Sequence, residues 1–339
     1  MMVIEKDKSL KHLNTFGIDA KASYYAEIRT IEDLCAVILH PMYRSAPKLI
    51  LGGGSNILFK QNFNGLILHN LLQGIELLNE DENFVFLKAG AGVIWHEFVL
   101  YAVQHGWGGI ENLSLIPGTV GASPIQNIGA YGTEIKDTFY ELEAIDLQDA
   151  TTHRFNATAC GFGYRDSIFK REAKGRFMIV SVTFRLSKSP VLNTRYGAIE
   201  QELQAEGVTQ PTIQDVSKAV IAIRSSKLPD PKIIGNAGSF FKNPEIPTSQ
   251  FETLKAVFPE LPGYPGLEGT TKVAAGYLIE QCGWKGKVIG KVGMHRQQAL
   301  VLVNHGGATG QELIDHAVRV QDSVLEKFRI HLEMEVNIL

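Results

Sequence analysis

Cysteine is scarce: Cys35, Cys160 and Cys282 are the only three in 339 residues, too far apart for any C-x-x-C pair. Neither a disulfide framework nor a thiolate zinc site is therefore expected. Charge of one sign is also missing. A formal net charge of −3 supplies no summed basic field for nucleic acid or an anionic membrane. A polyanionic small ligand then needs local cations in a pocket. Long apolar runs are absent too. Stretches such as Ala299-Leu300-Val301-Leu302-Val303 fall far short of the roughly 20 residues a membrane helix takes. Glu5-Lys6-Asp7-Lys8 stand where a secretory signal needs an apolar stretch, so a cytoplasmic chain without membrane insertion is expected. The ten histidines are scattered without ligand spacing, and no metal is assigned.

What the chain does have is glycine, 33 residues of it, in clusters. Such clusters mark tight turns or places where a ligand lies against the main chain. The hydrophobic fraction of 45% is globular, and the length exceeds one ordinary core, so two or three domains are expected. A strand is predicted over 22–29. A helix capped by Thr30 with Asp33 follows and stops at Pro41, and a short strand, Lys48 to Leu51, runs into Gly52. Further helices are predicted from Trp95 to His105, after the Thr212/Asp215 capping pair, from Thr270 to Cys282, and after Thr309/Glu312. Strands are expected near 140–146, 176–186 and 331–339. The alternation argues for α+β or α/β layers.

Six segments could carry chemistry. Gly52-Gly53-Gly54-Ser55-Asn56 follows a strand and suits an anion nest, with Ser55 and Asn56 adding donors. It is neither a P-loop nor a Rossmann fingerprint; read alone, it is as well explained by a plain turn. The run from Ile116 through Pro117, Gly118, Thr119, Gly121, Ala122, Gln126, Asn127, Gly129, Ala130 and Tyr131 is long, small-sided and uncharged. That surface suits a flat polar ring system, and a loop of such length in a compact domain is usually functional. Tyr164-Arg165-Asp166-Ser167 could clamp a carboxylate, although an Arg-Asp pair is more often a surface ion pair.

Ser239, within Gly238-Ser239-Phe240-Phe241-Lys242-Asn243-Pro244, is presented at a turn before two aromatics. Without an elbow motif or a nearby histidine a hydrolase nucleophile is not expected, and the segment alone is better explained by a structural serine. Lys272 falls in the first turn of the helix expected from Thr270, where a cation is unfavourable by up to about 1 kcal/mol unless an anion binds there. Arg224 and Lys227 sit at a helix C-terminus, where the dipole alone explains them. Alternation over 332–336 puts Glu333 and Glu335 on one face and Met334, Val336 and Ile338 on the other, making a carboxylate available for acid–base work.

Together and in this order, Asn14 to Gly17, Leu51 to Asn56, Ile116 to Gly132, Gly163 to Lys170, Ile223 to Pro229, Gly238 to Pro244, Lys272 to Gly276 and Leu332 to Val336 resemble the UDP-N-acetylenolpyruvoylglucosamine reductases of peptidoglycan synthesis. Asn193-Thr194-Arg195-Tyr196-Gly197 is similar to the longer, tyrosine-containing type of that family. The resemblance implies an α+β fold: a two-part FAD-binding domain of the vanillyl-alcohol-oxidase-like type plus a smaller C-terminal α+β substrate-binding domain. The implied parts are 1–70 and 71–230 for FAD, 231–330 for substrate, and 331–339 as a terminal strand carrying the catalytic glutamate.

It also implies noncovalent FAD along Gly52 to Asn56, the Pro117 to Tyr131 loop and Arg224, with NADPH as co-substrate. NADPH and UDP-N-acetylglucosamine enolpyruvate are implied to use one site in turn, and a monomer is expected. Arg165, Ser239 and Glu335 match the catalytic positions. Tyr164, Tyr196, Lys227, Asn243, Lys272 and Gln298 match positions that hold the UDP-sugar. Met334 departs from the pattern, standing where many members have proline. Two rivals remain: a flavin oxidase of the same fold, reduced by its own substrate, and a UDP-sugar-binding module that binds without turnover.

Overall fold

A computed structural model describes residues 3–339. The chain forms two compact units. The first comprises the segment up to Lys8, Ala22–Gly53 and Asn64–Ser226.

Its first sheet orders the strands Ile4–Ser9, Lys21–Ile28, Phe63–Asn70 and Lys48–Leu51. The two last pair in parallel, Lys48 with Leu66 through Leu51 with His69. The predicted capping box is present: Thr30 accepts from the Asp33 N–H, and the Asp33 carboxylate accepts from the Thr30 N–H. The helix Ile31–Ile38 buries Leu34, Val37 and Ile38, and Pro41 opens a separate short turn, Pro41–Arg44.

The second sheet is antiparallel and runs Thr152–Asn156, Phe139–Asp146, Phe177–Ser187, Phe84–Gly90, Ile75–Glu80. Strand Phe177–Ser187 is buried along most of its length, because each of its faces meets a different core. Met178 and Val180 join Leu34, Leu66 and Leu68, whereas Val182, Phe184 and Leu186 join Trp95, Phe98 and Val99. Side chains on a strand alternate, so one register slip changes the face. The slip is visible where Glu143 pairs with Ser181 and Ala144 with Ile179, and it re-phases the strand. The helix Trp95–Gln104 lies over this second core, its Trp95 and Phe98 rings 5.6 and 5.1 Å from Phe184. Helices Gly197–Ala205 and Ile213–Lys227 share a third core of Ile199, Leu203, Val216, Val220 and Ile223.

The second unit is Lys227–Leu339 together with Ser9–Lys21 and Gly54–Phe63. Sequence order alone groups those two N-terminal segments with the first part of the chain, 1–70. Asn14 ties one of them: its amide donates to the Leu10 and Ile18 carbonyls at 2.7 and 3.0 Å and accepts from the Ile18 N–H at 2.9 Å. Phe16 packs edge-on against Phe240 at 6.2 Å, and Asn304 donates to the Phe16 carbonyl at 2.8 Å.

The main sheet of this unit orders Gly235–Ser239, Val301–Asn304, Val292–Met294 and Val288–Ile289. Helix Gly310–Phe328 carries the predicted Thr309/Glu312 capping box and buries Leu313, Ala317, Val320, Val324 and Phe328 at helical spacing.

Two expectations fail in this unit. The helix predicted from Thr270 begins only at Ala275 and ends at Gln281. Thr270–Val273 is instead the centre of a three-stranded sheet between Glu245–Pro247 and Gly263–Pro265. Two β-branched threonines and a valine suit a strand, and this strand is paired on both sides. Lys272 is therefore no misplaced charge in a helical first turn. The terminal strand is also broken. Met334 makes an isolated bridge to Phe241, and only Asn337–Ile338 forms a strand, parallel to Ile57–Leu58. Leu332 and Val336 are buried and Glu333 is exposed, as alternation requires, but Ile338 is 38% exposed, not packed with them.

Among the described residues no helix is long and apolar enough to cross a membrane, and no group of three or more His, Cys, Asp or Glu side chains could hold a metal ion.

Candidate active site

In the first unit, the glycine loop after Leu51 meets the second glycine region directly. A Cβ on Gly53 would lie 3.2 Å from the Gly118 Cα, and one on Gly52 would lie 2.7 Å from the Thr119 hydroxyl. Two main chains in such contact leave a surface of backbone and small side chains, to which Gly53 and Ala122 are exposed. This meets the demand of a flat ring and its pyrophosphate for close backbone approach.

The second region is less a loop than a chain of tight turns, with a 3₁₀ segment Val120–Gln126 held by Ser123 donating to the Val120 carbonyl at 2.7 Å. Asn127, which ends it, is fully buried in a left-handed conformation. Its amide donates to Glu134 Oε2 and the Gly163 carbonyl at 3.1 and 3.0 Å and accepts from the Lys136 N–H at 3.1 Å. All three links go to protein, so Asn127 shapes this region from beneath. Glu134 and the buried Asn112, which donates to the Tyr131 and Asn193 carbonyls at 3.2 and 2.8 Å, were not singled out from sequence. The partners of Asn112 lie 19 and 81 residues away, so they give no local signal.

Arg165 is pulled into the same region. It has φ +54° at a tight Gly163–Asp166 turn, and its guanidinium donates to the Gly129 carbonyl at 2.7 Å. A left-handed arginine is uncommon and is retained where the surroundings over-determine it. Asp166 pairs with Arg171. Ser167 donates to the Ile125 carbonyl at 2.7 Å, tying this turn to the glycine region. Tyr164 lies under Arg165, 5.6 Å from ring centroid to guanidinium carbon.

Arg224 donates to the Leu115 carbonyl at 3.2 Å and bonds to Tyr131. Burial lowers its pKa, Tyr131 opposes that shift, and the neighbouring Arg165 adds to it. The first unit thus offers a glycine-lined surface together with the Arg165 and Arg224 guanidinium groups, which suits FAD. Tyr131, whose phenol burial pushes up in pKa, meets Tyr196 edge-on at 5.3 Å. Tyr196 is 42% exposed at the start of helix Gly197–Ala205.

In the second unit, Gly54 has φ +63° and is packed on Leu13 and Asn14, with its carbonyl accepting from the Thr15 N–H at 3.1 Å. The Asn56 carbonyl accepts from the Asn337 backbone and side chain at 3.1 and 3.0 Å. Ser239 ends its strand exposed, while Phe240 and Phe241 are buried and packed edge-to-face at 5.3 Å. The Glu335 N–H donates to the Phe240 carbonyl at 2.8 Å, so the glutamate backbone lies beside the residue following Ser239. Glu333, its companion by alternation, is engaged by Lys242.

Asn243 accepts from the Ala275 N–H at 3.0 Å and so caps helix Ala275–Gln281, whose own N-cap, Ala274, has no polar side chain. Gln298 lies over the same helix start, where a Cβ on Gly276 would come within 3.3 Å of its amide oxygen. Lys272 is in register with Glu245 on one side and Tyr264 on the other. Tyr264, exposed and aromatic, was not singled out from sequence. Lys227 is exposed at the end of helix Ile213–Lys227.

This arrangement defines an FAD-dependent oxidoreductase: residues 22–156 match the model of an FAD binding domain. Residues 230–339 match the model of the UDP-N-acetylenolpyruvoylglucosamine reductase C-terminal domain. UDP-N-acetylenolpyruvoylglucosamine reductase of Chromobacterium violaceum is 51% identical over 334 residues, covering 98% of each chain. The protein of the same name in Flavobacterium johnsoniae is 49% identical over 339 residues, covering 100% of both. The solved structure of UDP-N-acetylenolpyruvylglucosamine reductase from Thermus caldophilus superimposes with a TM-score of 0.68 at 24% identity, covering 100% of this chain and 99% of that one. The chain belongs to the UDP-N-acetylenolpyruvoylglucosamine reductases.

Proposed function

We propose that the protein reduces the enolpyruvyl ether of UDP-N-acetylglucosamine enolpyruvate to UDP-N-acetylmuramate, in peptidoglycan precursor synthesis. The observation that carries this reading is the Glu335 N–H bond to the Phe240 carbonyl at 2.8 Å, which keeps a carboxylate-bearing residue next to an exposed serine on a packed aromatic wall. Bound FAD, reduced by NADPH, supplies the hydride to the terminal carbon of the enolpyruvyl group. That delivery leaves negative charge at the adjoining carbon, spread onto the carboxylate. Arg165 balances that charge, and a protonated Glu335 donates a hydrogen bond to it; preorganised charge of this kind is usually the largest catalytic contribution. Ser239 then gives its proton to the carbanionic carbon. A serine hydroxyl is a weak acid, but this acceptor is strongly basic.

Gly52 to Asn56, the stretch from Pro117 to Tyr131 and Arg224 would hold FAD. Asn127 acts from beneath, through the three bonds described. Tyr164, Tyr196, Lys227, Asn243, Lys272 and Gln298 hold the UDP-sugar. For Lys272 the argument now rests on its strand position beside Tyr264. NADPH and the enolpyruvyl substrate use one site in turn, and the protein acts as a monomer in the cytoplasm. We also propose the functional division 1–70, 71–230, 231–330 and 331–339. The core around Trp95, Phe98 and Phe184 is drawn wholly from 71–230, which supports that part, whereas the core around Leu34 and Leu66 also takes in Met178 and Val180; Asn337–Ile338 carries the end of the chain back to Ile57–Leu58.

An anaerobic visible spectrum tests the reaction. Flavin bands should bleach with NADPH and return on adding UDP-N-acetylglucosamine enolpyruvate; bands that bleach and never return would remove that substrate. Ser239→Ala should leave bleaching intact and abolish the return. Equal slowing of both half-reactions would remove the proton-donor role.

A further inference from the structure

Leu115, at the mouth of the glycine region, is a non-glycine residue with φ +59°. A leucine rarely adopts this conformation, so something must hold it. The Leu115 N–H donates to His96 Nδ1 at 3.0 Å, and its carbonyl accepts from Arg224 Nε at 3.2 Å. His96 comes from helix Trp95–Gln104 and Arg224 from helix Ile213–Lys227. The peptide units flanking Leu115 thus bridge a ring on one helix to a guanidinium on another.

We propose that His96 is a positioning residue for the flavin site: its Nδ1 holds Leu115 in the left-handed turn and so aims the Leu115 carbonyl that orients Arg224. The inference rests on the reading of Arg224 as a flavin contact. His96 must be neutral at Nδ1 to accept, which puts its remaining hydrogen on Nε2. Protonation turns the acceptor into a donor facing the Leu115 N–H and breaks the link. The charged groups facing the ring are Arg224, from the other helix, and Glu97, from its own; Arg224 opposes the imidazolium and Glu97 favours it, while burial opposes it most. The folded pKa is therefore depressed below the ordinary histidine value of 6.5. The positioning effect is complete above that value and is lost as pH falls through the lower, folded one.

The experiment is FAD affinity of the apoprotein, read by flavin fluorescence between pH 4.5 and 8, for the parent, His96→Asn, His96→Phe and Arg224→Ala. Asparagine keeps an acceptor near the Nδ1 position and does not titrate. FAD affinity of the parent should fall at least tenfold toward acid pH. His96→Asn should bind within about threefold of the parent at pH 8 and lack most of that acid decline. His96→Phe should be at least tenfold weaker throughout.

Should His96→Phe fail to fold, the comparison of parent with His96→Asn still decides, because a merely structural ring would not move the pH profile. If the acid decline persists unchanged in His96→Asn, the proposal is wrong. If Arg224→Ala loses affinity while His96→Phe does not, His96 positions nothing and the flavin-site reading stands. If Arg224→Ala binds FAD as the parent does, that reading fails and the proposal with it.

Discussion

Gly54→Ala separates glycine needed for close packing from glycine needed for conformation. Gly54 has φ +63°, and a Cβ there would sit 2.0 Å from the Leu13 carbonyl oxygen and 2.9 Å from the Asn14 Cα. Both are main-chain atoms, held by the three Asn14 hydrogen bonds, so neither can swing away. The left-handed conformation costs alanine about 1–2 kcal/mol, and forcing the two segments apart adds about 1–3 kcal/mol, for a loss of about 2–5 kcal/mol. Gly17 is the control. Its φ is +67° with nothing within 4 Å of the added carbon, so Gly17→Ala should cost only the conformational part, about 1–2 kcal/mol. Both glycines lie in the second unit. Equilibrium urea unfolding followed by circular dichroism, fitted with a shared slope, gives the two differences. A Gly54→Ala loss no larger than that of Gly17→Ala would refute the packing argument and free this loop from Leu13.

Asn14→Ala removes three buried hydrogen bonds and strands the Ile18 N–H, so a loss of about 3 kcal/mol is expected in the same unfolding assay. A loss below about 1 kcal/mol would mean that water replaces the amide. His316 is 3% exposed against Trp284, and burial first, then Arg319 and Lys287, pushes its pKa down to about 4. The fold favours the neutral ring. Its contribution is therefore complete above pH 6.5 and is lost as pH falls toward 4, amounting to about 3 kcal/mol. His316→Phe should flatten the dependence of the urea midpoint on pH across that window; an unchanged dependence would assign the acid sensitivity elsewhere.

Much of this architecture was legible because it depends on neighbours in the chain. Thr30 with Asp33, Thr212 with Asp215 and Thr309 with Glu312 each link a side chain to a backbone N–H three residues away, and all three are formed. The presentation of Ser239 before two buried aromatics was equally local. The alternation of segments left α+β and α/β layers both open, and the α+β class and the FAD-binding domain came with the resemblance to a known family.

Tertiary structure decided the rest. Thr270–Val273 is expected from sequence to open a helix, yet two flanking strands claim its backbone groups. Strand Phe177–Ser187 shows an apolar run without a phase, because Phe177 and Ile179 face one core and Met178 and Val180 the other, and a register slip against Phe139–Asp146 then turns Val182, Phe184 and Leu186 to the first. Segments Ser9–Lys21 and Gly54–Phe63 join a unit whose remainder begins at Lys227. His96 meets Leu115 only because a left-handed turn brings that N–H to a neighbouring helix. Caps, turns and face periodicity act over three or four residues and are written in the sequence. Register, sheet membership and the partners of buried polar groups depend on which distant segment arrives, and only the folded chain determines that.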